Sequence, residues 1–440
     1  MNILRDLFRS LRSDFDFMEL VKGGSIFFAV KIFGTIGAYA FTLLVSRHYG
    51  PGGNGTVAFV LTLAVLLSFI SNLGLNTYAV KIIPHFIQAK EFLSVRIFYR
   101  KSLLSIFVIA TGISVLVYFS SHFMPFPGDS SYPAELRLAS ILTLPLAILL
   151  FTSSAFKAIK KITIFSLLQN NVIQFFALVI LVLPFWSGSS NSEPAIALCI
   201  AAVIFAFSSI ISWKVPEQKS FNTPDITFKL PTHLKSAFPM LVGGIAFFIL
   251  NLTDRLMLRF LDSTENLGIY DVALRIANLT LFGLLSLNAI AEPKFAELHT
   301  RGDLKGLKKF VQRSTFLGLI ITIPAILIII SFPDFWLGMF GTDGSYLKGE
   351  KTLFILCAGN AIGSLCGAVL TLLNMSNRQR KVQNILIFAA SINIGLNLIL
   401  IPHFSIQGAA IATLVSTLIW NFLGLYVVYK DLGFYTFSLK

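Results

Sequence analysis

Charge is scarce in this chain. Asp, Glu, Lys and Arg together make up 13% of its 440 residues, where soluble globular domains carry about 25%. Too few ionic groups remain to clothe a water-facing surface, which excludes cytoplasmic enzymes, secreted disulfide scaffolds and solvated disordered tails. Cysteine is nearly missing. Cys199, Cys357 and Cys366 all lie in apolar stretches, with no CxxC spacing and no histidine at ligand distance, so neither a disulfide framework nor a metal centre is expected. The GxxxxGK[ST] phosphate loop, HExxH, GxSxG and a Cys/His dyad are absent too, which removes ATP hydrolysis through that loop and the common hydrolase chemistries. The six histidines (His48, His85, His122, His233, His299, His403) fall at the ends of apolar runs and in loops, where an ordinary solvated residue is the expectation. A cleavable leader is not expected either. The first apolar run begins near Gly24, is long enough to span a membrane and is followed by no small-residue cleavage site.

Apolar residues are abundant instead: 55% of the chain, with 43 Phe and a mean hydropathy of +0.78. The solvent must largely be lipid. A helix needs about 20 mainly apolar residues to cross the hydrocarbon core, and twelve such segments are expected, at 24–46, 56–80, 102–121, 136–156, 163–186, 194–213, 236–258, 276–298, 314–335, 352–374, 383–402 and 408–429. The short alternating segments of a β-barrel are not seen, so the fold class is an all-α integral membrane protein. The formal net charge of +14 fits basic loops facing anionic lipid. With the N-terminus inside, 27 Lys and Arg fall in the inner segments and 7 in the outer ones, which predicts both termini to be cytoplasmic. Leu4, Leu7, Phe8, Leu11 and Phe15 recur at helical spacing among arginines, the pattern of a short helix lying on the membrane surface. The loop 81–101 has the same character.

The longest polar stretch in mid-chain, 214–235, holds three prolines and separates six expected spans from six. The two halves share faint matches at one offset. Arg47 answers to Arg259 and Gly55 to Gly268, at 212 and 213 residues, and Leu168-Gln169-Asn170 answers to Val382-Gln383-Asn384 and Ala195 to Ala409, at 214. A duplicated unit with an even number of spans inserts twice in the same orientation, so two six-helix bundles (24–213 and 236–429) with a pseudo-two-fold axis along the membrane normal are expected. They would be flanked by a cytoplasmic interfacial segment (1–23) and a cytoplasmic tail (430–440).

Charges inside spans are costly and mark candidate sites. Lys31 is the deepest, with Thr35, Ala38 and Thr42 continuing its face. Asn251, Asp254, Arg255, Arg259 and Asp262 form a stripe at the outer end of the seventh segment. Arg275, Asn278, Phe282 and Ser286 share a face of the eighth, Ser68, Asn72 and Asn76 one of the second, and Asn393 and Asn397 one of the eleventh. The polar faces of spans 1, 2, 7 and 8 would line a hydrated, cationic chamber suited to phosphate, which Arg grips through its fork and Lys as a point charge. A local reading stands beside this one, with Asp254 neutralising a neighbouring Arg and Arg47, Arg259 and Arg275 sitting in the headgroup layer. Asp254 and Arg255 project about 100° apart on a helix, so Asp254 is expected to meet Arg259, Lys31 or Arg275, as a structural counter-ion or as a switch that a phosphate or a proton displaces.

The segments LLVSRHYGPGGNGTVAF, LGLNTYAVKIIP, NLTDRLMLRFLDSTENLGIYDVALRIANL and IPHFSIQGAAIATLVS together resemble the polysaccharide-transporter branch of the multidrug/oligosaccharidyl-lipid/polysaccharide exporters, with O-antigen (Wzx-type) oligosaccharide flippases the nearest match. The resemblance implies two six-helix bundles, alternating access and transfer of an undecaprenyl-pyrophosphate-linked oligosaccharide to the outer leaflet of the bacterial inner membrane. It further implies that Lys31, Arg255 and Arg275 meet the pyrophosphate. It carries no cofactor, no metal and no enzymatic step. A coupling ion, H+ or Na+, and a polysaccharide polymerase and chain-length regulator as partners are compatible with it. A multidrug/cation antiporter is the alternative within transport, disfavoured by the basic stripe. A membrane glycosyltransferase or polymerase is the alternative from another class, disfavoured by the short outer loops.

Overall fold

The computed structural model describes residues 15–123, 131–169, 172–184, 186, 188, 190–214 and 230–437. The expected surface helix at residues 4–15, but for Phe15 itself, and most of the linker 214–235 lie outside them. All regular structure among the described residues is helical. The chain divides into two compact units, one of residues 1–44, 63–188 and 192–242 and the other of residues 45–62, 189–191 and 243–440. The division passes through long helices rather than only at the expected linker.

Two helices are far longer than a bilayer is thick. Helix α1 (Phe15–Ser71) has 57 residues and the last helix, Gln379–Leu432, has 54. Straight, each would run about 80 Å, against a hydrocarbon core of about 30 Å. Each is broken by one residue in the positive-φ region, Gly50 (φ 64°, ψ −166°) and Ser405 (φ 52°, ψ −130°), and each takes up two of the twelve expected segments. Counted over the described residues, six helices are long and apolar enough to cross a membrane, or eight if each of two bent pairs is one span. Two of the expected connections differ from expectation. Residues 81–101 are not one surface loop, because α2 (Leu75–Gln88) runs to a tight turn and α3 (Phe92–Phe123) begins at once. Residues 264–275, expected as an outer connection, are helical, because Ser263 caps a helix there.

In the first unit, α4 (Tyr132–Ala158) is the hub, packed against α2, α3, α5 (Ile162–Gln169) and α7 (Glu193–Ile211). Its buried positions are rich in Ala, Ser and Thr, such as Ala139, Thr143, Ala147 and Ser153, the small residues that let helices approach closely where lipid removes the hydrophobic drive between them. Helix α6 (Val172–Leu181) completes the unit. α3 turns most of its surface outward, with Leu104, Val108 and Leu116 exposed among apolar neighbours. That is the expected state of a lipid-facing helix.

The second unit contains α8 (Leu230–Leu261, from residue 243), α9 (Thr264–Leu279), α10 (Phe282–Thr300), α11 (Leu304–Ser331) and α12 (Pro333–Gly338). It continues with α13 (Glu350–Cys366), α14 (Val369–Met375) and α15 (Gln379–Leu432). An apolar cluster of this unit joins Phe295, Leu307, Val311, Leu372, Leu373 and Val428. Residues 45–62 belong here because their backbone crosses α9 at very short range. Asn54 Nδ2 donates to the Gly268 carbonyl at 2.9 Å. A Cβ on Gly55 would stand 1.8 Å from the Thr264 carbonyl oxygen, and one on Gly268 would stand 2.0 Å from that of Pro51. The two repeat-matched glycines therefore lie against each other.

Candidate functional site

Helices α8 and α9 form a tight hairpin. Ser263, in extended backbone, accepts from the Asn266 N–H at 3.1 Å and so starts α9 immediately after α8 ends. The reversal brings Arg255 opposite Asp271, sixteen residues away. Arg255 Nε donates to Asp271 Oδ1 at 2.7 Å, and Arg275 Nε, one helical turn beyond Asp271, donates to Oδ2 at 2.6 Å. The carboxylate is 1% exposed, while the two arginine side chains keep 18% and 15% exposure. Counted over these three side chains alone, one carboxylate stands between two guanidiniums, a surplus of one positive charge at a partly open place, and Arg275 has a further partner beside Asp271. Such a cluster suits an anion with several oxygens, a phosphate or diphosphate.

A second cluster surrounds Asp254, one residue before Arg255 and pointing elsewhere. Its carboxylate is 5% exposed and accepts from Tyr270 Oη at 2.9 Å, from Asn397 Nδ2 at 2.7 Å and from Thr413 Oγ1. Asn397 donates onward to Asn393 Oδ1 at 3.1 Å, and Asn393 to Ser416 Oγ at 3.3 Å. Asn397 Oδ1 is buried with no hydrogen-bond partner. A buried carboxylate beside an unpartnered carbonyl and a hydroxyl is an arrangement that can take up a proton or a small hard cation, since such ions prefer oxygen ligands. Among the described residues, no group of three His, Cys, Asp or Glu side chains is placed to hold a metal ion.

The expected stripe on α8 therefore serves several partners. Asp254 is not the counter-ion of the flanking arginines. Asp271 takes Arg255 and Arg275, because the hairpin aims both at it, whereas Asp254 faces α9 and the two limbs of α15. Arg259 is 1% exposed and lies over the Phe59 ring at 5.6 Å, which takes it off an open chamber wall. Asp262 accepts from Asn266 Nδ2 at 2.8 Å and from Ser405 Oγ at the bend of α15. Arg47 is exposed and donates through Nε to the Met339 carbonyl at 2.8 Å. Asn278 is exposed.

In the first unit, Lys31 is half-buried, and the Thr35 and Thr42 hydroxyls on its face bond carbonyls of their own helix, those of Lys31 and Ala38. Asn72 is fully buried. Its Nδ2 donates to Ser68 O at 2.9 Å and to Ala147 O at 3.1 Å. It stitches α1 to α4 and is not free to line a polar wall, a correction to the expectation from its polar face. Asp271, Tyr270 and Thr413 are not among the residues that the sequence pattern singles out. The i, i+4 spacing of Asp271 and Arg275 was a signal for the first, while Thr413 lies 159 residues from its partner.

Residues 20–299 match the family described as polysaccharide biosynthesis protein, and residues 239–399 match MatE. The chain is 22% identical over 414 residues to the "Probable low-salt glycan biosynthesis flippase Agl15" of Haloferax volcanii, covering 91% of this chain and 81% of that one. It is 27% identical over 167 residues to the "Probable flippase AglR" of the same organism, covering 37% and 34%, and 28% identical over 185 residues to the "Uncharacterized membrane protein MJ1068" of Methanocaldococcus jannaschii, covering 42% and 36%. The matched region thus spans about a third of the length of the last two relatives. Among solved structures, the fold is similar to "Lipid II flippase MurJ, inward closed conformation", with a TM-score of 0.71 and 16% identity over 91% of this chain and 87% of that one. It is also similar to an inward-facing "multidrug resistance MATE family transporter of the MOP superfamily", with a TM-score of 0.69 and 13% identity over 93% and 98%. At these identities the likeness is one of fold. The match to the first family covers well over half of the sequence, and the chain belongs to the polysaccharide biosynthesis protein family.

Proposed function

We propose that this protein is a flippase that moves a lipid-linked oligosaccharide across the membrane, with the Arg255–Asp271–Arg275 cluster receiving its phosphates. The cluster carries the reading, because a cationic surplus built around a carboxylate only 1% exposed has a desolvation cost and repays it by meeting an anion. Family membership and the flippase names of Agl15 and AglR support it. In its finer form the cargo is an undecaprenyl-pyrophosphate-linked surface-polysaccharide unit, moved by alternating access of two six-helix bundles in a bacterial inner membrane with both termini cytoplasmic. Lys31 would make a further phosphate contact. Asp254 would be the coupling residue, its carboxylate exchanging a proton or Na+ as its neutral donors rearrange.

The test is transfer of a fluorescent polyprenyl-diphosphate glycan in proteoliposomes, read by the fraction protected from an external quencher. Arg255→Gln and Arg275→Gln should each slow transfer by about tenfold or more, which is about 1.4 kcal/mol or more of lost binding to the phosphates. Equal rates at equal reconstitution would overturn the reading. Asp254→Asn should remove the pH or Na+ dependence of the rate per molecule while leaving protein abundance unchanged. If abundance falls and the dependence persists, Asp254 is structural. The MatE match makes a cationic dye the proper control, and its transport in place of the glycan would favour a drug antiporter.

A further inference from the structure

The described surface of the first unit contains a cavity of about 710 Å³ where the start of α3 meets the end of α7. Arg96, Tyr99, Arg100 and Leu103 line it from one face of α3, at i, i+3, i+4 and i+7, and Ile210, Trp213 and Lys214 line it from the end of α7 and just beyond. The floor is aromatic. Tyr99 and Trp213 stack with centroids 4.2 Å apart and planes 8° from parallel, and they rest on Phe151 and Phe156 of α4. The Tyr99 side chain is 4% exposed and its hydroxyl is buried with no hydrogen-bond partner. Arg96, Arg100 and Lys214 ring the mouth, and Arg96 has a partner of its own. No acidic side chain pairs with Arg100 or Lys214 among the described residues.

Below this basic ring the surface becomes mostly apolar. Leu104 and Val108 follow Arg100 at four-residue steps and are 64% and 61% exposed, and on α7 Phe207 and Ile211 are 66% and 61% exposed. Cations above an aromatic step and an aliphatic wall match the profile of a lipid molecule, from phosphate through glycerol to acyl chain.

We propose that this pocket seats an anionic phospholipid, with its headgroup phosphate between Arg96, Arg100 and Lys214, a hydrogen bond from the Tyr99 hydroxyl, and its acyl chains along Leu104, Val108, Phe207 and Ile211. The site is separate from the Arg255–Asp271–Arg275 cluster and does not depend on which glycan the protein carries. Its role is to hold a lipid of the surrounding leaflet. The fixed positive charge selects anionic over zwitterionic headgroups.

Native mass spectrometry of the full-length protein in detergent, titrated with phosphatidylglycerol and with phosphatidylcholine, tests this. The wild type should bind phosphatidylglycerol at least tenfold more tightly, with affinity falling as salt rises. The triple variant Arg96→Gln/Arg100→Gln/Lys214→Gln should lose that preference. If the triple variant does not fold, Arg100→Gln and Tyr99→Phe, each confirmed folded by its melting curve, should each weaken phosphatidylglycerol binding by about threefold and leave phosphatidylcholine binding unchanged. Retention of the wild-type preference in folded variants would overturn the assignment. Two competition arms separate the sources of phosphate. Displacement of phosphatidylglycerol from the pocket by undecaprenyl phosphate at lower concentration would reassign it to the cargo lipid. Displacement by millimolar inorganic pyrophosphate would reassign it to a soluble anion. Either result would overturn the phospholipid proposal.

Discussion

Asp271 decides the electrostatics around it. With both arginines present the cluster carries one net positive charge. Removing either arginine leaves a neutral pair, so a single substitution abolishes the attraction for an anion instead of halving it. Removing both leaves a buried lone carboxylate that repels phosphate. Asp271→Asn runs the other way and sets two guanidiniums against each other without their shared acceptor. Breaking a buried pair in this way costs about 3 kcal/mol, at the low end of the usual range because both arginines retain some solvent contact. The variant should melt earlier in detergent. Millimolar pyrophosphate should restore more of its melting temperature than it adds to the wild type, since a bound ligand stabilises whichever state it favours. An unchanged melting curve would remove Asp271 from its positioning role. The two arginines of this cluster stand out in the sequence as charges in costly places, and the carboxylate between them does not. The one-turn spacing of Asp271 and Arg275 is legible on a helix, but their meeting with Arg255 depends on a hairpin whose tightness rests on the Ser263 cap. Two of the three partners of Asp254 come from positions 143 and 159 residues away, and although Asn397 stands out on its own segment, no local pattern joins either of them to Asp254.

At the scale of elements, the sequence made the apolar segments legible and concealed where helices bend or begin. The expected eighth segment is split at Thr280 between α9 and α10, and the tenth breaks at Gly367 between α13 and α14. Apolar windows cannot report this, because a bend inside lipid needs no change of composition when neighbouring helices satisfy the freed backbone groups. The crossing of residues 51–55 with α9 is different. Gly55 and Gly268 were visible as a repeat pair, and the structure gives the reason for two glycines: neither backbone leaves room for a Cβ. Gly268→Ala places a methyl carbon against the Pro51 carbonyl and should cost about 1–3 kcal/mol as the segments part. Asn54→Ala, which loses only the bond to the Gly268 carbonyl, should cost about 1 kcal/mol. Thermal unfolding monitored by circular dichroism ranks the two, and a Gly268→Ala protein as stable as Asn54→Ala would show that the crossing relaxes more easily than its spacing suggests.

For the whole molecule, the charge asymmetry makes topology the direct test. Reporter fusions at Lys90 and Asn377, both in tight turns with positive φ, should read cytoplasmic, and a fusion at Thr342 periplasmic. Inversion at all three would reverse the orientation, and a disagreement between Lys90 and Asn377 would rule out two halves inserted alike. The bend of α15 has a bearing on how such a chain enters the membrane at all. Its corner, residues 402–407, reads Pro-His-Phe-Ser-Ile-Gln and contains no Asp, Glu, Lys or Arg, while Arg378, Arg380, Lys381 and Lys430 gather at the two far ends. An insertion machine handling this stretch has no ionic loop to drag through oil, and the transmembrane voltage finds nothing in the corner to oppose. The two limbs can therefore enter together as one hairpin, pinned by the basic groups that stay behind.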